Sequence, residues 1–224
     1  MNTPHNFYPR LLKRKHIFNY LLYFVVISFF SCADKNDSWD EMGSEKVLLA
    51  ASNSSNMSKQ HDFENALEDF LDIPSDHQLK KYIHPQFGFY INHKPSAISI
   101  VEHFNNLEEV YEQLPHLEAY FKKFNGQNPK NEEIPKFDCE MFSKEGTFYQ
   151  STSSFDEITK GLAMNEKIIE KVYTKEEKEF ASKTDKKISH IVVLTDDYLE
   201  VGFAKLDGKW YMLWFNLAKF DCSA

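Results

Sequence analysis

Residues 189–215 constrain the fold most. The runs 189–194, 199–204 and 209–215 are rich in β-branched and aromatic residues and are separated by Asp196-Asp197 and Asp207-Gly208. An Asp-Gly pair between two such runs favours a two-residue hairpin, because both central residues of that turn take positive φ. The three runs therefore predict an antiparallel meander. Along the last of them Trp210, Met212 and Trp214 alternate with Tyr211, Leu213 and Phe215. Successive strand side chains point to opposite faces, and both sets are apolar, so this strand expects cover on both sides.

Upstream, the pattern is helical. Phe63, Leu67, Phe70 and Leu71 recur at a spacing that builds one apolar helix face. Asp76 is placed to cap a second short helix through Leu79, Tyr82 and Ile83, which His84-Pro85 ends. Phe87 to Ile91 reads as an aromatic strand, 98–104 as its return, and 107–124 as helix interrupted at Pro115. Segments 137–142 and 147–151 read as a hairpin around Lys144-Glu145-Gly146. A helix is expected over 156–171 from Ile158, Leu162, Ile169 and Val172, followed by a highly charged, exposed helix or loop over 173–187. Helices first and a bent sheet last give an α+β class.

The other end of the chain speaks to location. Arg10, Lys13, Arg14 and Lys15 precede an almost wholly apolar run over 17–31, then Cys32. At 15 residues that run is shorter than the roughly 20 a helix needs to span a bilayer, so a cleaved signal over 1–31 is favoured over an uncleaved anchor or simple secretion. Ser31 followed by Cys32 resembles the lipobox of bacterial lipoproteins processed by signal peptidase II, although Phe29 and Phe30 stand where that box has leucine and a small residue. The resemblance implies a lipidated Cys32, a membrane as partner, and an outer-membrane lipoprotein of the bacterial cell envelope. Acyl burial at about 0.8 kcal/mol per methylene makes such an anchor stable once several chains are attached. Residues 32–60, with Asp34, Asp37, Asp40, Glu41 and a Ser/Asn tract, read as a flexible acidic and polar tether. Residues 61–224 form the single α+β domain.

Without the four bases of residues 1–31, the remaining chain carries 22 Lys and Arg against 34 Asp and Glu. An acidic surface of that kind repels phosphate backbones, which excludes nucleic acid as an expected partner. Cys139 and Cys222 remain besides Cys32, and in an oxidising compartment they are read as a disulfide, with two buried free thiols as the alternative. No CxxC spacing suggests a metal or redox site.

Two N-terminal helices, a short strand region and a final meander through Gly208-Lys209-Trp210-Tyr211-Met212-Leu213 resemble the NTF2-like, or cystatin-like, cone over residues 61–224. That resemblance implies N-terminal helices packed on a curved antiparallel sheet, with Phe89, Tyr211, Trp210 and Trp214 as candidate pocket residues. No catalytic residue carries over.

His84, His93, His103 and His116 are the densest histidines but lack any ligand spacing, so no metal site is expected. With seven glycines and no G-x-S-x-G, P-loop or G-x-G-x-x-G, the scaffolding turns of acyl transfer, phosphoryl transfer and dinucleotide chemistry are missing, and no cofactor is implied. The expected function is a lipid-anchored, non-enzymatic module that binds a ligand or an envelope protein. The alternative is a small envelope hydrolase or isomerase using a dyad drawn from Tyr90, His93, Tyr149, His190 and Tyr211, for which a buried acid beside His93 or His190 would speak.

Overall fold

A computed structural model describes residues 60–73, 76–121, 124 and 126–222. The leader, Cys32 and the tether lie outside the described residues, except Gln60 at the tether's end. Among the described residues no helix is long and apolar enough to cross a membrane.

Helix α1 (residues 60–71) forms where the periodicity predicts it, and Phe63, Leu67, Phe70 and Leu71 are all buried. After α2 (Asp76–Leu79) and a 3-10 turn, β1 (Phe89–His93) and β2 (Ile100–Phe104) form a hairpin. Helix α3 (Leu107–Gln113) starts at Asn106, whose side chain accepts from the Glu109 backbone N–H, and Pro115 converts its continuation into a 3-10 helix, Pro115–Phe121. There follow β3 (Lys130–Asn131), β4 (Thr147–Ser151), α4 (Glu157–Ile168) and α5 (Lys175–Asp185). Strands β5 (His190–Leu194), β6 (Leu199–Leu206) and β7 (Lys209–Asn216) complete the domain as the expected meander. Its last turn has Asp207 at φ 51° and Gly208 at φ 79°, the signs that the Asp-Gly pair demands.

The strands make one open, seven-stranded sheet in the order β2-β1-β7-β6-β5-β4-β3. This corrects the expectation of an antiparallel sheet: β1 lies parallel to β7 and β3 parallel to β4, so the α+β fold carries a mixed sheet. The β1–β2 hairpin pairs along the free edge of β7, where Tyr90 faces Trp214 and Asn92 faces Asn216. The direction follows from a long crossover that no local pattern announces. A second correction concerns the hairpin expected between 137–142 and 147–151. Strand β4 pairs with β5 instead, while Phe137 and Phe142 bridge to each other and close a short loop. Both rings pack on Phe220 beside buried Val193, which favours that local closure over extension.

Each face of the sheet has its own core. On the first, Phe63, Phe70, Phe89, Phe121, Phe203 and Phe215 pack under α1, α3 and the 3-10 helix. On the second, Tyr90, Val101, Ile158, Leu162, Leu213 and Trp214 pack under α4 and α5. Cover on both sides of β7 is thus realised, but the faces are not those of strict alternation. A bulge shifts the β6–β7 register so that Phe203 pairs with Met212 while Gly202 pairs with Trp214, leaving Leu213 as the extra residue. Past it the alternation inverts: Trp210 and Met212 stay on the first face, whereas Trp214 joins Tyr211 and Leu213 on the second. Gly202 makes this possible, since a Cβ there would lie 2.9 Å from that of Trp214.

Candidate ligand cleft

Helix α4 reaches the edge strand β2 at Val101, and a cleft of about 530 Å³ opens beside that contact between β1–β2 and α4–α5. Two local devices set its width. At Gly161 the absent side chain lets α4 rest on Val101, whose Cγ2 would be 2.2 Å from any added Cβ. One turn later Asn165, buried where the helical pattern would place an apolar residue, donates to the Val101 carbonyl at 2.7 Å and accepts from its N–H at 3.4 Å. The exposed ladder of an edge strand is satisfied in this way from a helix. Asn165 also donates to the Tyr173 hydroxyl at 2.7 Å, drawing the α4–α5 connection over the opening.

Helix α4 ends at Ile168, and Glu170 at φ 53° turns the chain out, so Val172 is fully exposed rather than on the apolar face expected of it. Thr174 then begins α5 with a capping box: its hydroxyl accepts from the Glu177 N–H, and the Glu177 carboxylate accepts from the Thr174 N–H at 2.7 Å. The segment 173–187 is consequently helical as expected but not wholly exposed, since Ala181, Thr184 and Asp185 are buried. Phe180 stacks on Phe87 and meets the edge of His103.

Tyr90, Val101 and Leu162 line the cleft with Tyr173 and Phe180, and Glu102, Lys171, Glu176 and Glu177 supply its charges. The Glu102 carboxylate is held below its ordinary range, first by its bond to His93 Nε2 at 3.1 Å and then by the Lys171 ammonium, which lies 3.4 Å from its other oxygen. Tyr90 is 3 % exposed, and burial pushes its hydroxyl well above the ordinary tyrosine range, with the nearby Asp185 and Glu177 carboxylates adding to the effect. That hydroxyl meets no hydrogen-bond partner among the described residues.

The residues singled out from sequence are distributed over both faces. Phe89 and Trp214 are core residues, 0 % and 1 % exposed, and the Trp214 indole N–H donates to the buried Glu200 carboxylate at 3.2 Å. Trp210 lies edge-on to Phe63 and donates to Asp62, while Tyr211 packs against His84. The cleft is lined by none of these four. Cys139 and Cys222 are joined in a disulfide with their Cα atoms 5.5 Å apart.

Of the dyad candidates, Tyr90 alone faces the cleft. His93 is buried behind it against Glu102, with Nδ1 unpartnered. Tyr149 donates to Glu64. His190 is stacked on Phe63 and edge-on to Trp210, and burial holds its imidazole down to about 4. His84 Nδ1 accepts from the Gln86 and Phe87 N–H groups, and His93 and His116 have ring centroids 6.1 Å apart. Among the described residues no group of three metal-ligating side chains converges. Sequence reasoning passed over Glu102, Lys171, Tyr173 and Phe180; the seven-residue spacing of Tyr173 and Phe180 was the available signal, hidden in a charged segment.

Comparison of the chain with protein-family models, with curated proteins and with solved structures finds no match.

Proposed function

We propose that the chain is a bacterial outer-membrane lipoprotein, anchored through Cys32, whose NTF2-like domain binds a ligand without catalysing its conversion. The cleft between β1–β2 and α4–α5 carries this reading. Its size falls within the range of about 300–1,000 Å³ usual for small-molecule sites, and its apolar walls with a few polar groups suit binding. Its chemistry favours binding over turnover. The lining residues include no serine, threonine or cysteine nucleophile, the Tyr90 hydroxyl is held protonated, and Glu102 is held ionised rather than poised to donate a proton. The leader, the tether and an oxidised Cys139–Cys222 pair suit an exported protein.

The first-face core, with α1 packed through Phe63 and Phe70 on Phe203 of the meander, supports the NTF2-like reading, and α4 and α5 are then a layer added on the second face. A second function, a small envelope hydrolase or isomerase, draws on the His93–Glu102 pair next to the cleft. His93 does not line the cleft, and binding remains the better reading.

Two measurements test the proposal. The intact mass of the membrane-extracted chain should equal residues 32–224 plus a diacylglyceryl group, and Cys32→Ala should release the protein from the membrane; an unaltered mass and partition would remove the anchor. Amide NMR of the detergent-solubilised protein with a fragment set should show shifts clustered on β1, β2 and residues 171–180. Shifts confined to other surfaces would remove the cleft.

A further inference from the structure

We infer that the ligand of this cleft is an organic cation, a protonated amine carried on an aromatic or aliphatic body. The inference rests on reading the cleft as a binding site and names the chemistry of what enters it.

The walls define the body. Val101 and Leu162 offer aliphatic contact, and the rings of Tyr90, Tyr173 and Phe180 offer flat apolar faces whose negative quadrupoles also attract a cation. The charges define the head group. Three carboxylates, Glu102, Glu176 and Glu177, line the cleft against a single ammonium, Lys171. Lys171 is already matched by Glu102 and lies over the Tyr173 ring, so it leaves the excess negative charge uncompensated. An anion finds no seat at the start of α5 either, because Thr174 and Glu177 already fill its capping box.

The Tyr90 hydroxyl is the independent pointer to a ligand. The Tyr90 side chain is 3 % exposed, and its hydroxyl opens on the cleft without a hydrogen bond to any described residue. It lines the cleft and lies within the field of Glu177 and Asp185, so an N–H donor entering there gains a neutral oxygen acceptor in a region of negative potential.

Three probes of one shape separate the possibilities: 2-phenylethylamine, 2-phenylethanol and 3-phenylpropanoate, titrated by calorimetry and amide NMR into the full detergent-solubilised chain at pH 7. The amine should bind about tenfold or more tightly than the alcohol, and the carboxylate should not bind, with the difference shrinking as salt rises. Glu176→Gln should weaken the amine about threefold and leave the alcohol unchanged. Tyr90→Phe should weaken the amine about three- to tenfold without moving the unfolding midpoint, because it breaks no bond within the protein. Equal affinities for amine and alcohol at the cleft would overturn the cation and leave the cleft standing as a neutral-ligand site. Binding of the carboxylate alone, or of none of the three up to millimolar concentration, would also overturn the cation, and the fragment survey would then judge the cleft by itself.

Discussion

Replacing Asp185 with alanine removes the carboxylate that ties α4 to α5. Helix α4 makes no side-chain cap of its own at Asp156. Its first N–H groups are satisfied instead from the end of α5: Asp185 accepts from Ile158 N at 3.1 Å, from Thr159 N at 3.0 Å and from the Thr159 hydroxyl. Loss of an N-cap typically costs about 1–2 kcal/mol. Here the abandoned Ile158 N–H is buried, which adds a desolvation penalty of about 1–3 kcal/mol. Part of this is offset, because burial of the carboxylate is itself unfavourable and is the leading cause that raises Asp185 above 3.8. The net expectation is about 2–3 kcal/mol of destabilisation, read by urea unfolding, with faster amide exchange confined first to α4. Asp185→Asn keeps one acceptor and should cost about 1 kcal/mol. The sign of its pH dependence follows from the raised value. The folded state holds this proton more tightly than the unfolded chain, so the advantage of aspartate over asparagine is greatest below pH 3.8 and shrinks as pH rises through the folded value. An alanine variant within about 0.5 kcal/mol of the native protein would refute the cross-helix cap.

Gly161→Ala should destabilise by about 1–2 kcal/mol, because overpacking against Val101 outweighs the roughly 1 kcal/mol that alanine gains in helix propensity; a rise in the urea midpoint would contradict the close approach of α4 to β2. His190 should titrate near 4 by NMR, and its contribution to stability, complete above about pH 6.5, should be lost as pH falls toward 4, because the unfolded chain takes up the proton first. His190→Phe should flatten that part of the profile, and an unchanged slope in urea midpoints between pH 7 and 5 would show that the imidazole is not held neutral by Phe63 and Trp210.

Features set by neighbours in the chain were readable before any coordinates. The Asp207-Gly208 hairpin, the apolar stripe of α1 and the break at Pro115 each follow from a few consecutive residues. Features set by distant partners were not. The parallel seat of β1 beside β7 joins Tyr90 to Trp214 across most of the domain, and the pairing of β4 with β5 rather than with 137–142 is likewise non-local. The cleft suffered from the same limit. Lys175 to Asp185 is dominated by charge, so its sparse apolar members, Phe180 and Ala181, gave little periodic signal, and Asn165 breaks the apolar face of α4 where a polar contact to Val101 is needed.

The bulge at Leu213 connects these observations to the site. With strict alternation Trp214 would have joined Trp210 and Met212 on the first face, already filled by phenylalanines, and the smaller Phe215 would have taken its place beside Tyr211 and Leu213 on the second. One inserted residue turns the largest side chain of the strand over, beside a glycine that makes room for it. The second face then carries Trp214 in place of the smaller Phe215, and the helical layer packs on that larger ring. Such a layer is anchored where Trp214, Ile158 and Leu162 meet, and α4 reaches β2 at Gly161 and Asn165. Between that anchorage and the sheet's edge lies a gap roofed by Tyr173 and Phe180, with the Tyr90 hydroxyl in its wall. The cleft is therefore a consequence of how the second layer is held, and a change that returned Trp214 to the first face, such as deletion of Leu213, should abolish the cleft before it abolishes the meander.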